Sequence, residues 1–284
     1  MTAQTLDTLH LIPRLQRQAH EHKGHAGKVL IIGGAPGMAG AALLAGRAAL
    51  HAGAGWVILS FIDERAVSVL SDQPELMLRT AHPGCIAEIQ PDVVAIGPGL
   101  GQEDLAKQLL LETLQSTALL VIDADALNLI ATDPHLLSQL KARSSLSTVL
   151  TPHPGEAANL LKETTEQIQA DREVAVQKLV ELTQSIVVLK GHHTLVYAPD
   201  QVMQECHRGN PGMGVGGMGD VLTGITAAIL AQGIRHNLNA YEATCLAVEL
   251  HSSAADNLLN QGVGPIGVTP SEVLLEVRNL INIK

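Results

Sequence analysis

Apolar, largely β-branched runs recur at residues 29–32, 56–61, 93–96, 119–123, 148–150 and 186–190, with helical patterns between them. None alternates polar with apolar, so each predicts a strand buried on both faces, which calls for helices packed on either side of a parallel sheet. The intervening segments supply such helices. Ile168, Ala175, Leu179 and Leu182 share one helical face, as do Ala243, Ala247, Leu250, Ala254 and Leu258. The last helix carries its own start signal, with Thr269 as N-cap, Pro270 in the first position and Glu272 completing a capping box. A further short strand is expected at 195–197. The pattern predicts an open, doubly wound α/β fold with a mostly parallel sheet and helices on both faces, an architecture in which ligands gather at the C-terminal ends of the strands. No linker or internal repeat divides the chain, so residues 23–284 read as one domain, and residues 1–22 as an N-terminal extension or short helix.

Composition excludes several classes of function. Only 18 of the 284 residues are Lys or Arg and the formal net charge is −10, which argues against a nucleic-acid partner. The four aromatic residues, Trp56, Phe61, Tyr197 and Tyr241, provide no stacking platform for single strands. No apolar run reaches the ~20 residues of a membrane span, and the N-terminus lacks the apolar region of a signal peptide. Cys85, Cys206 and Cys245 are too scattered for a disulfide framework or a zinc site. A cytoplasmic protein that binds its ligands through local devices is expected.

Those devices are sought in the loops. Residues 209–220 read GNPGMGVGGMGD and run into an apolar segment, 221–231, expected to be helical. Free N–H groups at a helix start, with glycines that let a ligand reach the backbone, make an anion hole of Gly216, Gly217 and Gly219. Asp220 beside it would repel a phosphate, and so is read as a base that takes a proton from an attacking hydroxyl or helps to hold a metal; the plain alternative is a helix-end charge. The loops at 33–40, just before Ala41, and 97–101, ending in Gly101, also suit close backbone approach, although GxGxxG is not met in register. Asp123 and Asp125 lie at the same edge of the sheet, Asp125 favoured as an N-cap. His153 stands between two prolines, close to Glu156. Lys190 ends an apolar strand, where it meets either phosphate oxygens or a carboxylate. No Walker-type GxxxxGK[ST] occurs.

Taken in order, TPHPGE, KGHHT and GGMGD on an α/β chain resemble the ribokinase-like small-molecule kinases. With HKG at 22–24, GAGWV at 53–57, GPGLG, DADALN, LTPHPGE, VVLKGHHT and GNPGMGVGGMGDVLTG, the sequence more specifically resembles the ADP- or ATP-dependent NAD(P)H-hydrate dehydratases, in the stand-alone form without an epimerase domain. His153 stands where the related vitamin-precursor kinases place asparagine, which favours the dehydratase resemblance. The sequence departs from that pattern in two places: Val215 replaces a hydroxyl residue, and His25 replaces an acid after HKG.

The resemblance implies a ribokinase-like fold and a repair reaction in which the S form of hydrated NADH or NADPH loses water at the expense of ADP or ATP. Hydroxide leaves poorly, and phosphorylation of the ring hydroxyl would turn it into a better leaving group. By similarity, Lys190, Gly191, His192, His193, Thr194 and Gly219 bind the nucleotide, while Ala41, Gly101, His153 and Asp220 contact the hydrated dinucleotide. Asp220 is the implied base, and Mg2+ would bridge the phosphates with Glu156 as the nearest acid. A separate NAD(P)H-hydrate epimerase and a homo-oligomeric state are also implied. The rival readings are a kinase of a small vitamin precursor and a catalytically silent nucleotide sensor; an NAD-dependent oxidoreductase has no GxGxxG to support it.

Overall fold

In a computed structural model, which describes residues 2–282, ten strands form one sheet. They are β1 (Gln4–Thr5), β2 (Lys28–Gly33), β3 (Trp56–Phe61), β4 (Met77–Thr80), β5 (Val93–Ile96), β6 (Leu119–Ile122), β7 (Thr148–Leu150), β8 (Ile186–Leu189), β9 (Thr194–Tyr197) and β10 (Gln204–Cys206). The helices are α1 (Ala39–His51), α2 (Cys85–Ile89), α3 (Asp104–Gln115), α4 (Ala124–Thr132), α5 (Pro134–Lys141), α6 (Pro154–Leu161), α7 (Thr165–Ala170), α8 (Arg172–Thr183), α9 (Met218–Gly233), α10 (Ala240–Asn260) and α11 (Pro270–Ile281).

The strand order is β1-β10-β9-β8-β7-β6-β5-β2-β3-β4. Every neighbouring pair is parallel except those that β9 makes with β8 and β10. Because successive side chains of a strand point to opposite faces, each buried strand feeds two cores. Val29 and Ile31 of β2 enter one core with α1, α9, α10 and α11, whereas Leu30 and Ile32 enter the other with α2 to α8. The expected three-layer, doubly wound arrangement is therefore present.

The chain winds outward from β2 through β3 to β4, then returns to start the other half at β5, beside β2. The loops after β2 and β5 meet at this switch point, which is where such folds bind ligands. Gly34 N donates to Pro98 O (3.0 Å) and Ala35 N to Gly99 O (2.6 Å). A Cβ on Gly33 would lie 2.1 Å from Pro98 O, so a side chain there would force the two loops apart. These N–H groups are already satisfied by the neighbouring loop, which removes the reason for placing a phosphate on them.

Several elements differ from the expected ones. Strands β4 and β10 are short, polar edge or near-edge pieces with no apolar run. The leading segment takes the form of a 3-10 helix, Leu9–Leu15, that contains Pro13, preceded by β1 paired with β10. Asp123, not Asp125, stands at the N-cap position of α4, and neither side chain makes a capping bond. Helix α9 starts at Met218 instead of at 221, because Gly217 adopts a left-handed φ of 95° and serves as its N-cap; Asp220 thus lies inside the first turn.

Candidate active site

The C-terminal edge of the sheet gathers the loops after β2, β5, β6, β7 and β8 together with the start of α9. Asp123, one residue beyond β6, is buried. Its Oδ1 accepts from Lys190 Nζ (2.7 Å) and its Oδ2 from Thr223 Oγ1 (2.9 Å). Lys190, one residue beyond β8, thus pairs with a carboxylate, and a second acid, Glu156, has Oε2 at 3.8 Å. Thr223 lies one helical turn beyond Asp220 on α9, so both project from the same side of that helix toward this centre.

Glu156 and His153 form the start of α6. His153 Nδ1 accepts from Gly155 N (3.0 Å) and Glu156 N (3.3 Å), while Glu156 Oε2 accepts from His153 N (2.8 Å). This is a reciprocal capping box built with an imidazole. With Nδ1 accepting, the ring proton sits on Nε2, which faces Glu156 Oε1 at 3.2 Å. An asparagine at this position has a side-chain oxygen that can cap in the same way, so replacing it by His153 keeps the helix start.

The Asp220 side chain, in the first turn of α9, has no hydrogen-bond partner among the described residues. Burial, with Asp123 nearby, raises its pKa to about 6. Burial also raises Glu156, to about 7, against the opposing pull of Lys190. Lys190 is itself desolvated, and this lowers its pKa, but the attraction of Asp123 and Glu156 prevails and holds it above its ordinary value. The group is one ammonium among three carboxyls, of which two are poised to titrate near neutrality.

The glycine loop faces this group. Gly216, Gly217 and Gly219 direct N–H groups that find no partner among the described residues, as a helix start requires. A Cβ on Gly219 would sit 3.3 Å from Lys190 Nζ and 3.8 Å from Asp123 Oδ2, so glycine keeps the space above the ion pair open. Ala41 and Gly101 lie at the switch point: a Cβ on Gly99 would lie 3.4 Å from that of Ala41, and Gly101 N donates to Asp125 Oδ2 (2.9 Å). Asp125 therefore fastens the β5 loop instead of capping α4.

Of the KGHHT segment, only Lys190 reaches the carboxylates. Thr194 Oγ1 donates back to Gly191 O (3.1 Å), and the rings of His192 and His193 stack at 4.0 Å on the outer side of the turn. Arg172 holds this turn from beneath, donating to Leu189 O (3.0 Å), Lys190 O (3.4 Å) and His193 O (3.4 Å). A hollow of about 360 Å³ runs along Arg172, His192 and His193. A second, of about 460 Å³, lies beyond Gly101 along Gln102, Asn128 and Asn159.

Residues 29–278 match the NAD(P)H-hydrate dehydratase family. The chain belongs to that family. The ADP-dependent (S)-NAD(P)H-hydrate dehydratase of Neisseria meningitidis is 38% identical over 268 residues, covering 94% of this chain and 88% of that protein. The bifunctional NAD(P)H-hydrate repair enzyme of Coxiella burnetii is 40% identical over 277 residues, 96% of this chain but 53% of its own length. The chain thus spans about half the length of the bifunctional dehydratase relatives it matches. The ADP/ATP-dependent NAD(P)H-hydrate dehydratase of Bacillus subtilis, co-crystallised with ATP and Mg2+, superposes with a TM-score of 0.81 at 25% identity, covering 99% of this chain and 98% of that one. The resemblance read from the motifs is borne out by the family match. No helix among the described residues is long and apolar enough to cross a membrane.

Asp123, Thr223 and Arg172 are the residues that motif reading did not assign to the site. DADALN signalled an acid at the sheet edge but not which of two acids would meet the lysine. Thr223 was detectable from its spacing to Asp220 once a helix through both was assumed. Arg172 left no signal, since it opens a helix remote in sequence from the turn it supports.

Proposed function

We propose that this chain dehydrates the S form of NADH or NADPH hydrate, using ADP or ATP as phosphoryl donor, and so acts as a hydro-lyase that repairs nicotinamide nucleotides. The observation that carries this reading is Asp220: a half-buried carboxyl whose side chain has no hydrogen-bond partner among the described residues, in the first turn of α9 beside free glycine N–H groups and the Lys190–Asp123 pair.

Asp220, ionised near neutrality, takes the proton of the ring hydroxyl as its oxygen attacks the terminal phosphorus, whose bond to the bridging oxygen breaks and releases AMP from ADP or ADP from ATP. The N–H groups of Gly216, Gly217 and Gly219 receive charge that develops on the transferring phosphoryl oxygens. The new C–O–P bond makes phosphate the leaving group, and the ring nitrogen lone pair expels it; loss of the neighbouring C–H proton restores the ring double bond. Lys190, held by Asp123 and Glu156, keeps a positive charge beneath the phosphates. The nucleotide lies along Arg172, His192 and His193, and the hydrated dinucleotide along Ala41, Gly101 and His153.

The carboxylates of Asp123, Glu156 and Asp220 are hard oxygen donors outnumbering one ammonium, and most of their oxygens are already in use. This fits Mg2+ that arrives on the nucleotide phosphates and keeps most of its waters, with Glu156 as the protein acid next to it. When bound, the ion would neutralise phosphate charge. Use of the R hydrate requires an NAD(P)H-hydrate epimerase to convert it to the S form, and the dehydratase works as a homo-oligomer.

The reading is tested by incubating the protein with NADH hydrate and either nucleotide. Recovery of dihydronicotinamide absorbance with equimolar phosphate release supports it; accumulation of a stable phosphorylated product would instead make the chain a kinase.

A further inference from the structure

Among the described residues, one group of histidine and acidic side chains has the arrangement of a metal site, and it lies outside the carboxylate centre: His193, Glu205 and His207, whose donor atoms all fall within 4.8 Å of one another. The antiparallel pairing of β9 with β10 explains why they meet. Its register pairs Cys206 with Thr194 and Glu205 with Leu195, and one further step sets His207 opposite His193. Glu205 and His207 are two residues apart and so project to the same face of the strand.

We infer that His193, Glu205 and His207 form a binding site for a divalent transition-metal ion of the zinc class. His193 Nδ1 lies 3.2 Å from Glu205 Oε1, and His207 Nε2 lies 3.4 Å from Glu205 Oε2. Tetrahedral zinc with bonds of roughly 2.0–2.1 Å holds its ligand atoms roughly 3.3 Å apart; each histidine nitrogen stands at about that separation from one of the two Glu205 oxygens, and one donor atom from each residue falls within 4.8 Å of the others, so binding draws the three together. The rings of His193 and His207 meet edge to face with their centroids 4.5 Å apart, so both imidazoles stand beside the one carboxylate.

Two imidazoles and one carboxylate select zinc, nickel or copper over magnesium, whose ligands are oxygens. The site is also held in place. His192 stacks on the His193 ring at 4.0 Å, and Arg172 fastens the His193 carbonyl at 3.4 Å. Three protein ligands leave a fourth position on the solvent side for water. Binding ties the turn between β8 and β9 to β10, joining two segments that the hydrogen-bond ladder leaves unpaired beyond Cys206. The inference needs no nucleotide and does not depend on the role assigned to the turn.

The test uses the full, tag-free chain, stripped of metal by a chelator and without nucleotide, titrated with Zn2+ in a calorimeter and with Co2+ by visible absorption. One saturable site with the intense visible bands of four-coordinate cobalt is expected. Separate Glu205→Gln and His207→Ala variants should each weaken binding by about tenfold or more, equivalent to about 1.4 kcal/mol. His135→Ala, an exposed histidine on α5, should bind as the wild type does and controls for adventitious surface sites. Absence of saturable binding below about 1 mM, the affinity of roughly −4 kcal/mol, would overturn the inference. So would wild-type affinity in both Glu205→Gln and His207→Ala; this would reduce the cluster to a pair of histidine–carboxylate contacts.

Discussion

In the proposed reaction the chemistry rests on two carboxyls, Asp220 and Glu156, whose burial opposes their ionisation beside one lysine. Asp220 has a pKa raised to about 6, and a base must be ionised to act, so turnover should rise with pH through about 6 and level off above it. Asp220→Asn should lower kcat by about 10²–10⁴-fold, the range of general-base removal, while calorimetry still detects nucleotide. Glu156 has a pKa raised to about 7 from an ordinary 4.5. Between those values the folded state holds a proton that the unfolded chain has released, so the contribution of Glu156 to stability is present below 4.5 and is lost as pH rises through 7. Glu156→Gln removes that loss, and urea unfolding should show it gaining on the wild type from pH 4.5 to 7.5; a constant difference would refute the account of Glu156. Lys190, Glu156 and Asp220 were legible in sequence because each follows an apolar strand or a glycine loop, where an ionisable residue needs a reason. The bond from Thr223 to Asp123 was not, since it joins residues 100 apart in the chain.

Helix α9 sets the position of Asp220, and its approach to α1 sets the position of α9. A Cβ on Gly224 would lie 2.0 Å from Ala45 O, so the two helix backbones touch at this point. Gly224→Ala should destabilise the fold by about 1–3 kcal/mol, as overpacking does, and lower turnover by displacing the start of α9; thermal unfolding and a rate assay check both. At the start of α6, His153→Ala should cost about 1 kcal/mol through loss of the cap, whereas His153→Asn should restore most of it. The apolar strands were readable to the residue at Trp56–Phe61, Val93–Ile96 and Thr148–Leu150, because burial on both faces makes each a nearly continuous apolar or β-branched run. Strands β4 and β10 were not, since Met77–Thr80 and Gln204–Cys206 carry polar residues near the sheet's edges. The start of α9 was misplaced because glycine is a poor helix former, and the two glycines at 217 and 219 hide a helix that tertiary packing begins at Met218.

At the scale of the molecule, a doubly wound sheet places five strand-end loops and the start of α9 at one edge and lets widely separated segments supply one centre. The net charge of −10 bears on how anionic substrates reach it. Without magnesium, ADP binding should tighten or stay level as salt rises from about 10 to 150 mM, because salt screens repulsion between like charges. Steep weakening would show that a local positive field governs access. The overall architecture was legible from the alternation of strand and helix, while the reversed β9 and the attachment of Gln4–Thr5 to β10 depend on pairing that no local pattern encodes. The central claim is that phosphoryl transfer at Asp220 drives loss of water from a hydrated nicotinamide. Its most direct measurement follows dihydronicotinamide absorbance and phosphate together, with NADH hydrate and ADP or ATP, for the wild type and Asp220→Asn. The account predicts equimolar recovery of NADH and phosphate in the wild type and near-complete loss of both in the variant with nucleotide still bound. NADH recovery without nucleotide, or undiminished repair by Asp220→Asn, would contradict it.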